Sequence, residues 1–134
     1  ALVDESKAVM LVKHDYRPPE KTKMDGQLQE RYHRTIWSSL ILWNCGHPAN
    51  GVLTCEVVNH RPGSFLHGFQ WLDDDLIGGV PEQWNWLEGW SSPDITPSAV
   101  HMTRGVPNML GYEKIPYADE WLSFLPSIKK SDAL

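Results

Sequence analysis

Three consecutive carboxylates, Asp73, Asp74 and Asp75, stand between apolar and aromatic runs in FLHGFQWLDDDLIGGVPEQWNWLEGW, residues 65–90. Four tryptophans, Trp71, Trp84, Trp86 and Trp90, share that stretch. Neighbouring carboxylates repel one another, and taking even one out of water is costly. Two readings stay open. The acids can cap a helix N-terminus, where the dipole favours negative charge. Alternatively they form a polar site for a metal ion, a sugar hydroxyl or a cation, walled by aromatic rings. Asn44 and His47 lie in NCGHP, the polar break after an apolar strand. Strand ends in open α/β sheets are where ligands commonly bind, so both are candidates, with local hydrogen bonding as the plainer role for His47. His101 lies in SAVHMT, a strand that runs into Arg104 and Gly105.

Around these residues the expected elements are short. Residues 8–12, AVMLV, read as a buried strand. Pro18-Pro19 excludes helix, and the charged run 20–34 reads as a long loop with Asp25-Gly26 as a turn. WSSLILWN, 37–44, reads as a second strand covered on both faces. ANGVLTCEVVN, 49–59, reads as a short helix broken near Thr54, which can cap a second turn. Ser64 is placed to cap a helix over 65–71, weakened by Gly68. LIGGVP reads as an edge strand, and Trp84-Asn85-Trp86 alternates as a half-buried strand does. Residues 98–103 form a third clear strand. Residues 117–125 form a closing helix with Trp121, Phe124 and Leu125 inward, and the tail from 128 frays. The class is α/β: a small mixed sheet with flanking helices, in one domain over residues 1–134.

Composition narrows the function. The chain has 134 residues, of which 41% are hydrophobic and 22% charged, ordinary values for a folded domain. Its net charge of -5 argues against nonspecific nucleic-acid binding. No apolar run approaches the roughly 18 residues needed to span a bilayer. Cys45 and Cys55 have no CxxC or CxxH companions, so they read as buried thiols in a reducing, cytoplasmic compartment.

WSSLILWNCGHP, FLHGFQWLDDDLIGGVPEQWNWL and AVHMTRGVPNMLGYEKIPYADEW, in that order, resemble blocks of phage and bacterial glycosyltransferase-like proteins. These are of the glycogenin and lipopolysaccharide galactosyltransferase type, with a GT-A fold. The resemblance runs from residue 12 to residue 121. It implies transfer of a sugar from a nucleotide-diphospho-sugar to a hydroxyl acceptor, with Mn2+ or Mg2+ as cofactor. It also implies that this chain is the C-terminal, acceptor-side half, since it starts after the expected Asp-x-Asp motif. On that resemblance Asp74 and Asp75 contact sugar and Asp73 caps. Asn44 lies near the donor sugar, His101 is a metal ligand, and Arg104 and Gly105 meet the diphosphate. Gly105-Val106-Pro107-Asn108 departs from the family pattern at the phosphate turn.

The expected partners are thus a nucleotide-diphospho-sugar and a carbohydrate acceptor, with no turnover from this chain alone. A half domain would leave a sheet edge uncovered, which predicts a homo-oligomer. The alternative is a noncatalytic carbohydrate-binding or assembly module using the tryptophans as sugar platforms. A third reading, a metal-dependent nuclease, is disfavoured by the acidic charge.

Overall fold

The run from Ala8 to Val12 is the most apolar stretch near the start of the chain, and it becomes the centre of the fold. The computed structural model describes residues 3–17 and 32–125. Strand β1, Val9–Leu11, is buried at every position. β2 (Leu42–Trp43) pairs with it antiparallel, Val9 opposite Trp43 and Met10 opposite Leu42. β3 (Ile77–Gly79) pairs with its other edge in parallel, from Val9 opposite Ile77 to Leu11 opposite Gly79. Ala8, Val9, Leu11, Phe69, Leu72 and Ile77 form the core, with Trp37, Ile41 and Trp71 packed against it.

A second, separate pair follows. β4 (Trp86–Leu87) runs parallel to β5 (Val100–His101), with Leu87 opposite His101. In the chain, α1 (Cys55–His60) and α2 (Gly63–His67) come between β2 and β3, and α3 (Ala118–Ser123) comes after β5. Short 3-10 turns at Trp37–Ser39, Pro48–Val52, Asp74–Leu76 and Glu82–Asn85 connect the rest.

The small mixed α/β arrangement and the central strand agree with the expectation, as does the break at Thr54. The Thr54 hydroxyl accepts from the Val57 amide, capping α1. Several local expectations are corrected. Residues 37–44 are not a doubly covered strand: only 42–43 pair as a strand, and Leu42 and Trp43 are 42% and 40% exposed. They lie on an edge of the sheet order β2-β1-β3, with no further strand paired outside them among the described residues. α2 starts at Gly63 behind Pro62, without a side-chain cap, so Ser64 is inside the helix rather than capping it. In α3, Phe124 is 85% exposed, not inward. Cys45 and Cys55 are both exposed free thiols rather than buried ones. Most of the charged loop 20–34 and the tail from 128 lie outside the described residues.

Candidate functional site

A hollow opens beside the exposed edge strand. It has a volume of about 580 Å³ and is bordered by Asp4, Glu5, Lys7, Trp43, Asn44 and His47. Trp43 is fixed in place by rings: it stacks on Trp71 at 6.3 Å with the planes 4° apart, and it tilts against buried Phe69. Asn44 forms the floor. Its Nδ2 donates to the carbonyls of Glu5 and Lys7, and its Oδ1 accepts from the Gly46 amide. Asn50 repeats the pattern one turn on, donating to the carbonyls of Ala8 and Asn44. The Ala8 and Asn44 carbonyls also accept from the Asn44 and His47 amides, so Asn50 adds a second bond to each. His47 Nδ1 accepts from the Ala49 amide, the local role that its loop position suggested.

Lys7 joins this hollow to the acid cluster. Its ammonium donates to the Asp75 carbonyl at 2.8 Å, while its own carbonyl receives Asn44. Asn44 and Asp75, 31 positions apart, therefore meet through one lysine because β1 and β3 run parallel from adjacent starts. Asp73 takes the N-cap position of the 3-10 turn but makes no capping bond. Asp74 is engaged elsewhere, with Arg34.

Arg34 is the residue that the sequence pattern did not disclose. Its side chain is 6% exposed. One terminal nitrogen donates to the carbonyls of Gly68 and Phe69 at 2.9 and 2.7 Å. The other donates to the Leu72 carbonyl and to Asp74 Oδ1, at 3.2 and 2.6 Å. The guanidinium also lies over the Trp37 ring, 5.8 Å from its centroid. Arg34 and Ile36 are left-handed at φ 61° and 66°, and Phe69, which Arg34 grips, is at φ 50°. Such conformations are costly for residues with a side chain, especially a β-branched one, and persist where the surroundings over-determine them. The Arg34 bonds supply that constraint. The hydrogen bond from Arg34, and then its charge, hold the Asp74 carboxyl below its usual range. Within a run of charged residues nothing marks one arginine for burial.

The remaining expected site residues belong to the β4–β5 pair. Arg104 is committed to a carboxylate rather than open to a diphosphate: its Nη2 and Nε donate to Glu88 at 2.6 and 3.2 Å, and Glu88 is 2% exposed. The guanidinium covers Gly89, at φ 73°, so closely that a Cβ there would lie 2.4 Å from Arg104 Nη2. Gly105 is buried, and a Cβ on it would meet the Tyr112 ring at 2.9 Å. Its missing side chain makes room for an aromatic ring. Among the described residues, His101 has no hydrogen bond or ion pair to a carboxylate. Burial pushes its imidazole below its ordinary value, and its Nδ1 is sealed without a partner. Buried His14 is nearby. Burial lowers it most, opposed by Glu82 and by a hydrogen bond with the Asn85 backbone, and its Nε2 is likewise sealed and unpartnered.

Among the described residues no group of three or more His, Cys, Asp or Glu side chains is arranged to hold a metal ion. His101 therefore does not share a metal seat with Asp74 and Asp75, and the described residues do not fit the Mn2+ or Mg2+ that the resemblance implied. The tryptophan platforms also fall differently: Trp86 is 4% exposed, while Trp43 stands in the hollow.

No family model matches the chain, and no solved structure matches it. Protein CDI of Arabidopsis thaliana is 46% identical over 136 residues, an alignment covering 98% of this chain and 52% of that protein. The chain thus spans about half the length of the curated relative it matches. The glycosyltransferase resemblance is corrected by this outcome. Neither the relative's name nor any family model or solved structure connects the chain to that group. No helix among the described residues is long and apolar enough to cross a membrane.

Proposed function

We propose that this chain is a carbohydrate-binding module whose site is the hollow beside Trp43. The observation that carries this reading is a rigidly held, part-exposed indole beside groups that both donate and accept hydrogen bonds. Sugar rings present one apolar face of C–H groups and a rim of hydroxyls. An aromatic platform takes the face, and carboxylates and amides take the rim. Asp4, Glu5 and His47 line the hollow together with Trp43, and Lys7 places the Asp75 segment alongside. Glycosyl transfer from a nucleotide-diphospho-sugar is not needed to account for this hollow. Of the residues expected to act in such transfer, Arg104 and Asp74 already have ionic partners.

Titration with neutral oligosaccharides, followed by tryptophan fluorescence and calorimetry, tests the proposal. Saturable binding that needs neither nucleotide nor metal, and that Trp43→Ala weakens about tenfold or more, is the expected result. Affinity for a nucleotide-sugar that depends on Mn2+, with none for free saccharide, would replace this reading by the transferase one.

A further inference from the structure

A second hollow lies on the other sheet. It has a volume of about 360 Å³ and is bordered by Ser39, Asn85, His101, Met102, Val106 and Trp121. No carboxylate, ammonium or guanidinium group is among its lining residues, in contrast to the hollow beside Trp43. Its polar groups are of one kind: each can both donate and accept. Asn85 is 3% exposed, and its Nδ2 is held on the Ser39 hydroxyl at 2.7 Å, which fixes the amide plane. The His101 imidazole takes no side-chain partner among the described residues. Buried amides and imidazoles are ordinarily satisfied, so an imidazole without a hydrogen-bond partner on the wall of an otherwise apolar cleft points to a missing complement. Trp121, Met102 and Val106 supply apolar surface for the faces of a flat molecule.

We propose that this cleft binds an uncharged heteroaromatic ring of nucleobase size, its hydrogen-bonding edge toward Asn85 and His101 and its face against Trp121. A charged ligand would find no counter-ion among the lining residues. A saturated polyol would leave the apolar walls poorly filled. The cleft lies at the lower end of the size range of small-molecule sites, which begins near about 300 Å³. This proposal does not depend on saccharide binding at Trp43, because the two hollows share no lining residue.

The test is titration of the full chain with the uncharged nucleosides adenosine, guanosine, cytidine and uridine, followed by NMR. At least one should give saturable shifts on the Trp121 indole and the His101 ring while Trp43 stays unmoved. Asn85→Leu and His101→Leu should each weaken binding about tenfold, the loss expected for one buried hydrogen-bond partner. If either variant fails to fold, the shift map of the unaltered protein decides alone. Absence of saturable shifts up to about 5 mM, weaker than any affinity of interest here, overturns the proposal. So do shifts centred on Trp43, or a neutral monosaccharide producing the same shifts at the same affinity.

Discussion

The two sheets among the described residues bury charge in opposite ways. Beside the three-stranded sheet the buried group is a cation, Arg34, satisfied mainly by backbone carbonyls, with Asp74 as a solvent-exposed fourth acceptor. Beside the β4–β5 pair the buried group is an anion, Glu88, whose charge is met by the half-exposed Arg104. A guanidinium can spread its charge over several carbonyl oxygens, because it carries five donors in a plane. A carboxylate can only accept, and in this protein it rests on one cation. The first arrangement should survive loss of its ion-pair partner, and the second should not.

The sharpest test of that contrast begins with Arg34→Ala. It leaves three carbonyls without their donor and releases the left-handed turns at Ile36 and Phe69, so we expect a loss of about 3–5 kcal/mol in denaturant unfolding. Next, Arg104→Ala strands the Glu88 charge and should cost about 3 kcal/mol. Glu88→Gln in the same chain should recover part of that loss, and its failure to do so would remove the charge explanation. Trp43→Ala should lower saccharide affinity about tenfold or more while leaving the unfolding free energy within about 1 kcal/mol, since the ring is part-exposed.

A fourth prediction concerns pH and two histidines, His14 just after β1 and His101 on β5. Burial holds His14 and His101 below their ordinary values in the folded protein. An imidazole lowered by folding is protonated first in the unfolded chain. Its contribution is therefore fully present above the unfolded value, about pH 6.5, and is lost as pH falls toward the folded one. Thermal unfolding should occur at a lower temperature at about pH 5.5 than at about pH 7.5. His14→Phe should narrow that difference. The carboxyls lowered by folding, Asp4, Asp74 and Glu113, act in a more acidic window and should not confuse it. The smallest effect is expected from Asp74→Asn, below about 1 kcal/mol, because the exposed pair is screened and Arg34 keeps its carbonyls. A cost as large as that of Arg104→Ala would erase the distinction between the two sheets.

Part of this was legible beforehand. AVMLV became the central strand because an unbroken apolar run has nowhere to go but the core. Thr54 capped a helix because its hydroxyl competes locally for an amide three residues on. The acid triplet stood out in the sequence, yet its members separated: Asp74 turned to Arg34, while Asp75 offered its carbonyl to Lys7. Asn44 was correctly placed at a strand end, where its amide satisfies backbone carbonyls and floors a hollow. The WSSLILWN stretch misled because an apolar strand at an exposed edge has the same composition as one covered on both faces. Arg104 and Gly105 read as phosphate contacts, but the same two residue types also serve a buried carboxylate and an aromatic ring.

By itself the sequence determined where the chain is apolar, where it must turn, and which side chains can accept, donate or stack. Those properties are local, carried by each residue and its near neighbours. Only the tertiary structure decided which of them meet. It paired Arg34 with Asp74 across 40 positions and Glu88 with Arg104 across 16, and it exposed Trp43 while burying Trp86. The reason is that a charge or a ring is committed by the partner nearest to it in space, and distance along the chain does not limit that choice.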